Sequence, residues 1–477
     1  MKGGPEVRGP GRVPRARGVG RVLRRLIGLA GTLLVVLLFG LLWAFARVSA
    51  GFGAVVAAQH AFATGDPPAT IAADHFRLPW GVGRFLKVEL DPARRSARVR
   101  ALGLSRCEAV WRDGLGAVRQ PSVLALDLSW PPTPLPSVPW PEGGERGPSG
   151  LARDLEEALQ ERLAASFAAA PRATRAALVV QAGRLVAERY REDTGPRTPL
   201  LGWSMTKSFL ATMVGRWIEL GRIAGVEEPL EAPEWSAPDD PRRAITVEHL
   251  LRMSSGLAFD GGYTLPWSDS LQMLFVAPEA APVAAGKALE HAPGSHWSYS
   301  DGSSNLLARF VQARAGDTLA EQVAFLRREL LEPLGMHTAT LGVDPSGHWV
   351  GSSFLTASAR DWARLGLLYL RDGVRGGRRL LPEGWVELVS RPVESSPHRV
   401  YGAHFWRYDP ADPRTSDGRP APAVLAGVLY AAGYDHQFLW IDRSRDALVV
   451  RLGRRDPGFD PEAFAASVLE LLPATAR

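Results

Sequence analysis

The sequence predicts an α/β fold: an antiparallel sheet flanked by helices, with an inserted helical region, preceded by one transmembrane helix. Three observations predict it. Apolar runs at 176–180 and 184–190, split by Gln181-Ala182-Gly183, are answered near the far end by runs at 438–441 and 447–452. Between these pairs lies a long stretch with helical periodicity, including 358–370. Strands at both ends of a body with helices between them close into one sheet layered with helices. Ahead of all of it, residues 26–46 carry no charge.

In chain order, residues 1–25 form a basic tail. Lys2 and seven arginines against Glu6 give it a local +7, so the formal net charge of +6 leaves −1 for the other 452 residues. A body this close to neutral offers no groove for nucleic acid. The uncharged run 26–46 would span about 31 Å as a helix, the thickness of a bilayer's hydrocarbon layer. Arg24 and Arg25 precede it and Arg47 closes it. The basic side stays in the cytoplasm, which sends the remainder across the inner membrane as a single-pass protein with a periplasmic body. Val48-Ser49-Ala50 would serve as a signal-peptide cleavage site. The apolar run is longer than the roughly 7–15 residues of a signal h-region, so an uncleaved anchor is the preferred reading.

Residues 47–148 read as an extension. Strand-like stretches at 86–90 and 122–126 alternate with turns, and 130–150 is a Pro/Gly-rich linker that holds neither helix nor central strand. The main domain, 149–477, opens with a charged Ala/Leu-rich helix at 151–169 and closes with one at 461–472. A composition of 46% hydrophobic and 22% charged residues is that of a globular core. Cys107 is the only cysteine, which excludes an intrachain disulfide and zinc sites built on several cysteines.

The chemistry centres on Gly202-Trp203-Ser204-Met205-Thr206-Lys207-Ser208. Phe209, Met213 and Trp217 recur four residues apart, as do Leu210, Val214 and Ile218, and Gly221 is a plausible stop. Ser204 therefore sits at a helix N-terminus, where the dipole favours developing negative charge, with Lys207 on the same face. A serine hydroxyl needs a base, and a desolvated amine within reach can take its proton. Ser-x-x-Lys alone is a weak signal, level with a surface lysine on an amphipathic helix. Composition adds weight: only Lys2, Lys87, Lys207 and Lys287 are lysines among 56 basic residues. Where arginine is the default cation, a lysine here points to an amine that must be able to lose a proton.

Two further stretches stand out. Pro293-Gly294 leads through Trp297 to Tyr299-Ser300-Asp301 and then a helix; a tyrosine beside an ammonium can shuttle protons, whereas an isolated one is more often a core residue. Ala431-Ala432-Gly433-Tyr434-Asp435-His436 precedes the strand 438–441, and a glycine there lets backbone N–H groups face an oxyanion. His436 reads as a turn residue rather than a catalytic one. No Gly-x-Ser-x-Gly, His-Glu-x-x-His or EF-hand pattern is present, and the ten histidines show no metal spacing, so neither metal nor cofactor is expected.

The order Ser-x-x-Lys, tyrosine, glycine-bearing strand resembles the serine hydrolases of the β-lactamase and penicillin-binding-protein superfamily, class C-like branch, which includes 6-aminohexanoate-dimer hydrolases and related esterases. The stretches 245–257 (Ile245-Thr246-Val247-Glu248-His249-Leu250-Leu251-Arg252-Met253-Ser254-Ser255-Gly256-Leu257), Leu334-Gly335-Met336, Arg360-Asp361-Trp362-Ala363-Arg364-Leu365-Gly366 and Tyr401-Gly402 with Phe405-Trp406 are similar to that branch. The resemblance covers about 150–477 and implies a β-lactamase/transpeptidase-like fold. It implies Ser204 as acylated nucleophile, Lys207 as base or proton partner, and Tyr299 as general acid/base. The oxyanion hole would use the N–H of Ser204 and one near Gly433 and Tyr434, with Asp301, Trp203 and Trp297 against the substrate. Two positions depart from the family. Asp301 stands where Asn is frequent, and Ala431 stands where Lys or His opens the third motif. Both disfavour β-lactams. The expected protein is a membrane-anchored hydrolase of a small ester or amide. A cell-wall D-peptidase of the same fold and a non-turnover penicillin-binding-like receptor are the alternatives.

Overall fold

The computed structural model describes residues 3–4, 19–76, 79–120, 128, 135–169 and 171–474. Most of the basic tail and the strand-like run at 122–126 lie outside the described residues. The first element among the described residues is one long helix, α1 (Val19–Gln59), of two different halves. Residues 26–40 are exposed on every face, whereas all residues from 48 to 60 are buried. The second half is rich in Ala and Gly, which lets neighbours close in. A Cβ at Gly53 would sit 2.9 Å from Val99 Cγ1, and one at Gly51 would strike the carbonyl of Phe275.

What α1 packs against was not legible in the sequence. The region expected as an extension folds into a four-stranded antiparallel meander, β1 (Leu86–Asp91), β2 (Ser96–Ala101), β3 (Ser105–Arg112) and β4 (Gly116–Arg119). Val99, Ala101, Cys107 and Ala109 from this sheet share a core with Phe52, Val55 and Val56 of α1 and with Leu201, Trp203 and Phe354 of the main domain. The expected linker is also partly docked. Trp140 is buried, and Arg364 donates to the carbonyls of Pro141 (3.0 Å) and Gly143 (2.8 Å).

The main domain is built on a six-stranded antiparallel sheet. Its strands are β5 (Thr174–Gln181), β6 (Arg184–Tyr190), β7 (Trp406–Arg407), β8 (Leu429–Gly433), β9 (Gln437–Asp442) and β10 (Ala447–Gly453), in the order β7-β8-β9-β10-β5-β6. Val449 of β10 pairs with Val179 of β5 on one side and Trp440 of β9 on the other, which joins the two ends of the domain. Strand alternation sends Leu178, Val180, Leu448 and Val450 into one core, and Ala177, Val179, Ala447 and Val449 into another. Helices cover both faces, so the strands read as continuous apolar runs although they are antiparallel. On one face lie α2 (Arg153–Ala169) and α7 (Pro461–Leu469); on the other lie α3 (Met205–Glu219), α5 (Asp301–Ala313) and α6 (Ala359–Leu370). Between α3 and α5, α4 (Asp269–Phe275) bridges this layer to α1.

Candidate active site

A short strand, Leu200–Leu201, feeds the turn Gly202-Trp203-Ser204. Trp203 takes φ +48°, a left-handed conformation that costs a non-glycine residue about 1–2 kcal/mol. Its ring is held by its neighbours: Phe52 stacks on it at 6.0 Å, Tyr434 meets it edge-on at 5.5 Å and Phe354 at 6.4 Å. The turn delivers Ser204 to the N-cap of α3. A serine there normally caps the helix, but its side chain makes no capping bond, which leaves Oγ for other chemistry.

Lys207, one turn on, is buried, and its ammonium donates to three acceptors. These are Ser204 Oγ at 3.2 Å, Asp301 Oδ1 at 2.7 Å and the Ser352 carbonyl at 3.0 Å. That uses all three protons of the charged amine. Burial acts to discharge it, but the Asp301 carboxylate and Tyr299 outweigh burial and hold its pKa above the ordinary lysine value. In this arrangement the lysine is a proton donor toward Ser204.

Asp301 departs from the expectation that it touches substrate. It begins α5, has no exposed side-chain surface, and spends both oxygens internally: Oδ1 on Lys207 and Oδ2 on the Tyr263 hydroxyl at 2.6 Å. A charged residue in place of an amide pairs with the amine instead of reaching outward. Tyr299 lies across the site, its ring centre 4.8 Å from Lys207 Nζ, against a wall of Trp406 (5.4 Å) and Tyr401 (6.0 Å). Trp297 joins that wall through Tyr401 and Trp406. His404 lies behind the site with Nε2 3.2 Å from Ser304 Oγ; burial and the Lys207 charge push its pKa down to about 3, so it adds no second cation.

Gly433 closes the site from β8. A Cβ there would collide with the Gly202 carbonyl and lie 3.2 Å from Ser204 N, so only glycine brings this strand edge against the start of α3. Tyr434 follows, exposed beside Trp203. Ala431 shares Gly433's face of the strand and is fully buried, so no charge stands at that register. Arg407 of the neighbouring strand β7 could supply a charge from beside β8, but it is engaged by Asp409 at 3.1 Å. His436 occupies the β8–β9 turn at φ +59° and accepts from Arg455 at 3.1 Å.

Sequence reasoning missed Tyr263, the Ser352 carbonyl and Phe52, none of which carries a local signal. It also missed His60, Asp66 and His75, whose candidate ligand atoms lie within 4.8 Å of one another. Arg175 donates to both Asp66 oxygens, at 2.6 and 3.0 Å, and His60 Nδ1 lies 3.0 Å from the same carboxylate. The guanidinium thus occupies the carboxylate a cation would need, and the group works as an ion-pair lock between the end of α1 and β5.

The beta-lactamase family profile matches residues 153–472. A 6-aminohexanoate-dimer hydrolase of Paenarthrobacter ureafaciens is 26% identical over 322 residues, spanning 63% of this chain and 74% of its own. Among solved structures, a candidate 6-aminohexanoate-dimer hydrolase from Bacillus anthracis aligns with a TM-score of 0.51 at 19% identity, over 86% of this chain and 96% of that one. A penicillin-binding protein homologue from Caulobacter crescentus aligns with a TM-score of 0.51 at 18% identity, over 68% of this chain and 98% of its own. At such identity these structures speak for the fold, the same helix-flanked antiparallel sheet. With the profile spanning both ends of that sheet and everything between them, the chain belongs to the beta-lactamase family and is a hydrolase of the serine amidase and esterase kind.

Proposed function

We propose that the protein is a membrane-anchored serine hydrolase that cleaves a neutral ester or amide through an acyl-enzyme on Ser204. The observation that carries this reading is Ser204 Oγ, uncapped at the start of a buried helix, 3.2 Å from a fully coordinated ammonium. Ser204 Oγ attacks the acyl carbon, and the carbonyl oxygen becomes an oxyanion against the N–H groups of Ser204 and the end of β8. The hydroxyl of Tyr299 takes the serine proton while passing its own to the leaving alcohol or amine. Water then enters, gives a proton back along the same route, and releases the acid with Ser204 restored. Lys207, held charged by Asp301, steadies negative charge on Ser204 Oγ throughout.

The substrate reading follows from Ala431 and from Arg407 being spent on Asp409, which leave a substrate carboxylate without its partner. A lost charge-assisted hydrogen bond is worth about 1.5–3 kcal/mol, roughly tenfold to a hundredfold in affinity. The 6-aminohexanoate-dimer hydrolase relative is named for an amide substrate, which supports amide hydrolysis here. Steady-state kinetics with p-nitrophenyl butyrate and nitrocefin test this: a higher kcat/KM for nitrocefin overturns the substrate class.

The anchor reading is supported by α1 itself. Its exposed half suits a bilayer, and the helix Arg25–Thr64 is long and apolar enough to cross one. Cleavage after Ala50 would have to cut a helix whose Ser49 and Ala50 are buried in the body and whose Phe52 stacks on Trp203. Retention of the helix fits these contacts, and the basic residues ahead of it favour a body on the periplasmic side.

A further inference from the structure

The anchor and the candidate nucleophile are not separated by a linker. Trp43 and Arg47 mark the upper end of the exposed segment, with the Arg47 guanidinium 4.8 Å over the Trp43 ring. An aromatic ring beside a basic side chain is the pairing that fixes a helix at a membrane–water interface. From Arg47 the same helix runs on, with no proline or turn, to Phe52 and Gln59. Five residues at 1.5 Å each place Phe52 about 7.5 Å above the interfacial pair. Phe52 stacks on Trp203, whose next residue is Ser204. The headgroup layer is itself about 5–7 Å deep on each side of the hydrocarbon, so Phe52, on which the residue before the nucleophile stacks, stands at the height where headgroups end.

The rim of the site is mounted on the same helix. Phe275 of α4 meets Phe52 at 5.3 Å, and its carbonyl lies against Gly51. The loop leading into α4 carries Tyr263, which bonds Asp301 behind Lys207, then Leu265 and Trp267, 42% and 56% exposed. Gln272 of α4 donates to the Pro266 carbonyl at 2.5 Å, which ties this loop to its helix. On the other side of Trp203 stands Tyr434, 47% exposed.

We infer that the substrate is itself a membrane resident, an acyl ester or amide carried on a lipid-like chain, and that α1 acts as a rigid strut holding Ser204 at headgroup level to receive it. This rests on the serine-hydrolase and anchor readings above and adds the substrate's location. Trp267, Leu265 and Tyr434 face the acyl chain or the bilayer surface as the substrate lifts toward the site. The chemistry is unchanged: the acyl–oxygen or acyl–nitrogen bond breaks, Ser204 is acylated, and water releases the acid.

The test uses the full chain reconstituted in phosphatidylcholine vesicles. A fluorogenic ester on a double-chain lipid anchor is placed either in the same vesicles or in a separate population, and a short soluble ester is assayed in parallel. The expected result is hydrolysis of the lipid ester at least tenfold faster in the same vesicles than across populations. Trp267→Ser should lower the ratio of lipid-ester to soluble-ester rates about threefold or more. Equal rates in the two arrangements, or a soluble ester cleaved while the lipid ester is not, would overturn the inference and leave the serine-hydrolase reading standing. Failure to cleave either ester would instead count against that reading.

Discussion

Replacing Asp301 by Asn removes the negative charge opposite Lys207 while keeping the side chain's shape. The pair is 2.7 Å apart, with side-chain exposures of 2% and 0%. Removing one partner of a buried ion pair typically costs about 3–5 kcal/mol, because the other charge is left uncompensated. Asn keeps an acceptor for the ammonium, so the lower end, about 3 kcal/mol, is expected here. The pH dependence gives the sharper test. In the wild type the Lys207 pKa is raised above 10.5, so the pair's contribution is complete below that value and fades only as pH rises through the folded-state pKa. In Asp301→Asn the largest opponent of burial is gone and only Tyr299 still acts against it, so the folded-state pKa falls, the unfolded chain binds more protons and stability climbs with pH toward 10.5. Urea midpoints of both proteins in one detergent, from pH 7 to pH 9.5, read this directly. The wild type should be flat with respect to this group, and the variant's deficit should shrink with alkalinity. A deficit that is absent, or constant across that range, refutes the account of Lys207 as a charge held by Asp301.

Three further outcomes are expected. Lys207→Arg should lower kcat/KM by about 10²-fold or more, since a planar guanidinium keeps the charge but cannot match the three acceptors that hold the ammonium against Ser204 Oγ; near-normal ester turnover would contradict this. Gly433→Ala should cost roughly 10²–10³-fold in kcat by forcing β8 away from Ser204 N, read by single-turnover acylation with KM little changed. Phe52→Ala, which opens a cavity beside Trp203, should destabilise the body by about 3–5 kcal/mol, measured by urea unfolding. Unchanged stability would mean that α1 is only an anchor.

The parts of this protein that could be read from its sequence are those written in local periods. Both halves of the central sheet show as short apolar runs broken by turns, and the helix behind Ser204 and the i, i+3 placement of Lys207 follow from spacing 3.6. Asp301 was noticed, but its partner was not, because 94 residues separate it from Lys207. The second half of α1 was misjudged for a related reason. From Arg47 on it reads as the start of an extension, because an Ala/Gly-rich run shows no apolar stripe, and only Gly51, Gly53 and the alanines around them hint that other backbone comes close. Of the meander β1–β4 only β1 stands out, as the strand-like stretch 86–90, and the core that joins the four strands exists only once α1 is laid against them. Tyr263 reaches the site from a loop, where sequence periodicity says nothing.

The central claim is that Ser204 is the acylated nucleophile. Treating the full-length protein with a fluorophosphonate and mapping the modified peptide by mass spectrometry tests it most directly. The account predicts a single adduct on Ser204, lost in Ser204→Ala together with ester hydrolysis while the urea midpoint is unchanged. An adduct on Ser255, Ser303 or Ser352, or hydrolysis that survives in Ser204→Ala, would contradict it.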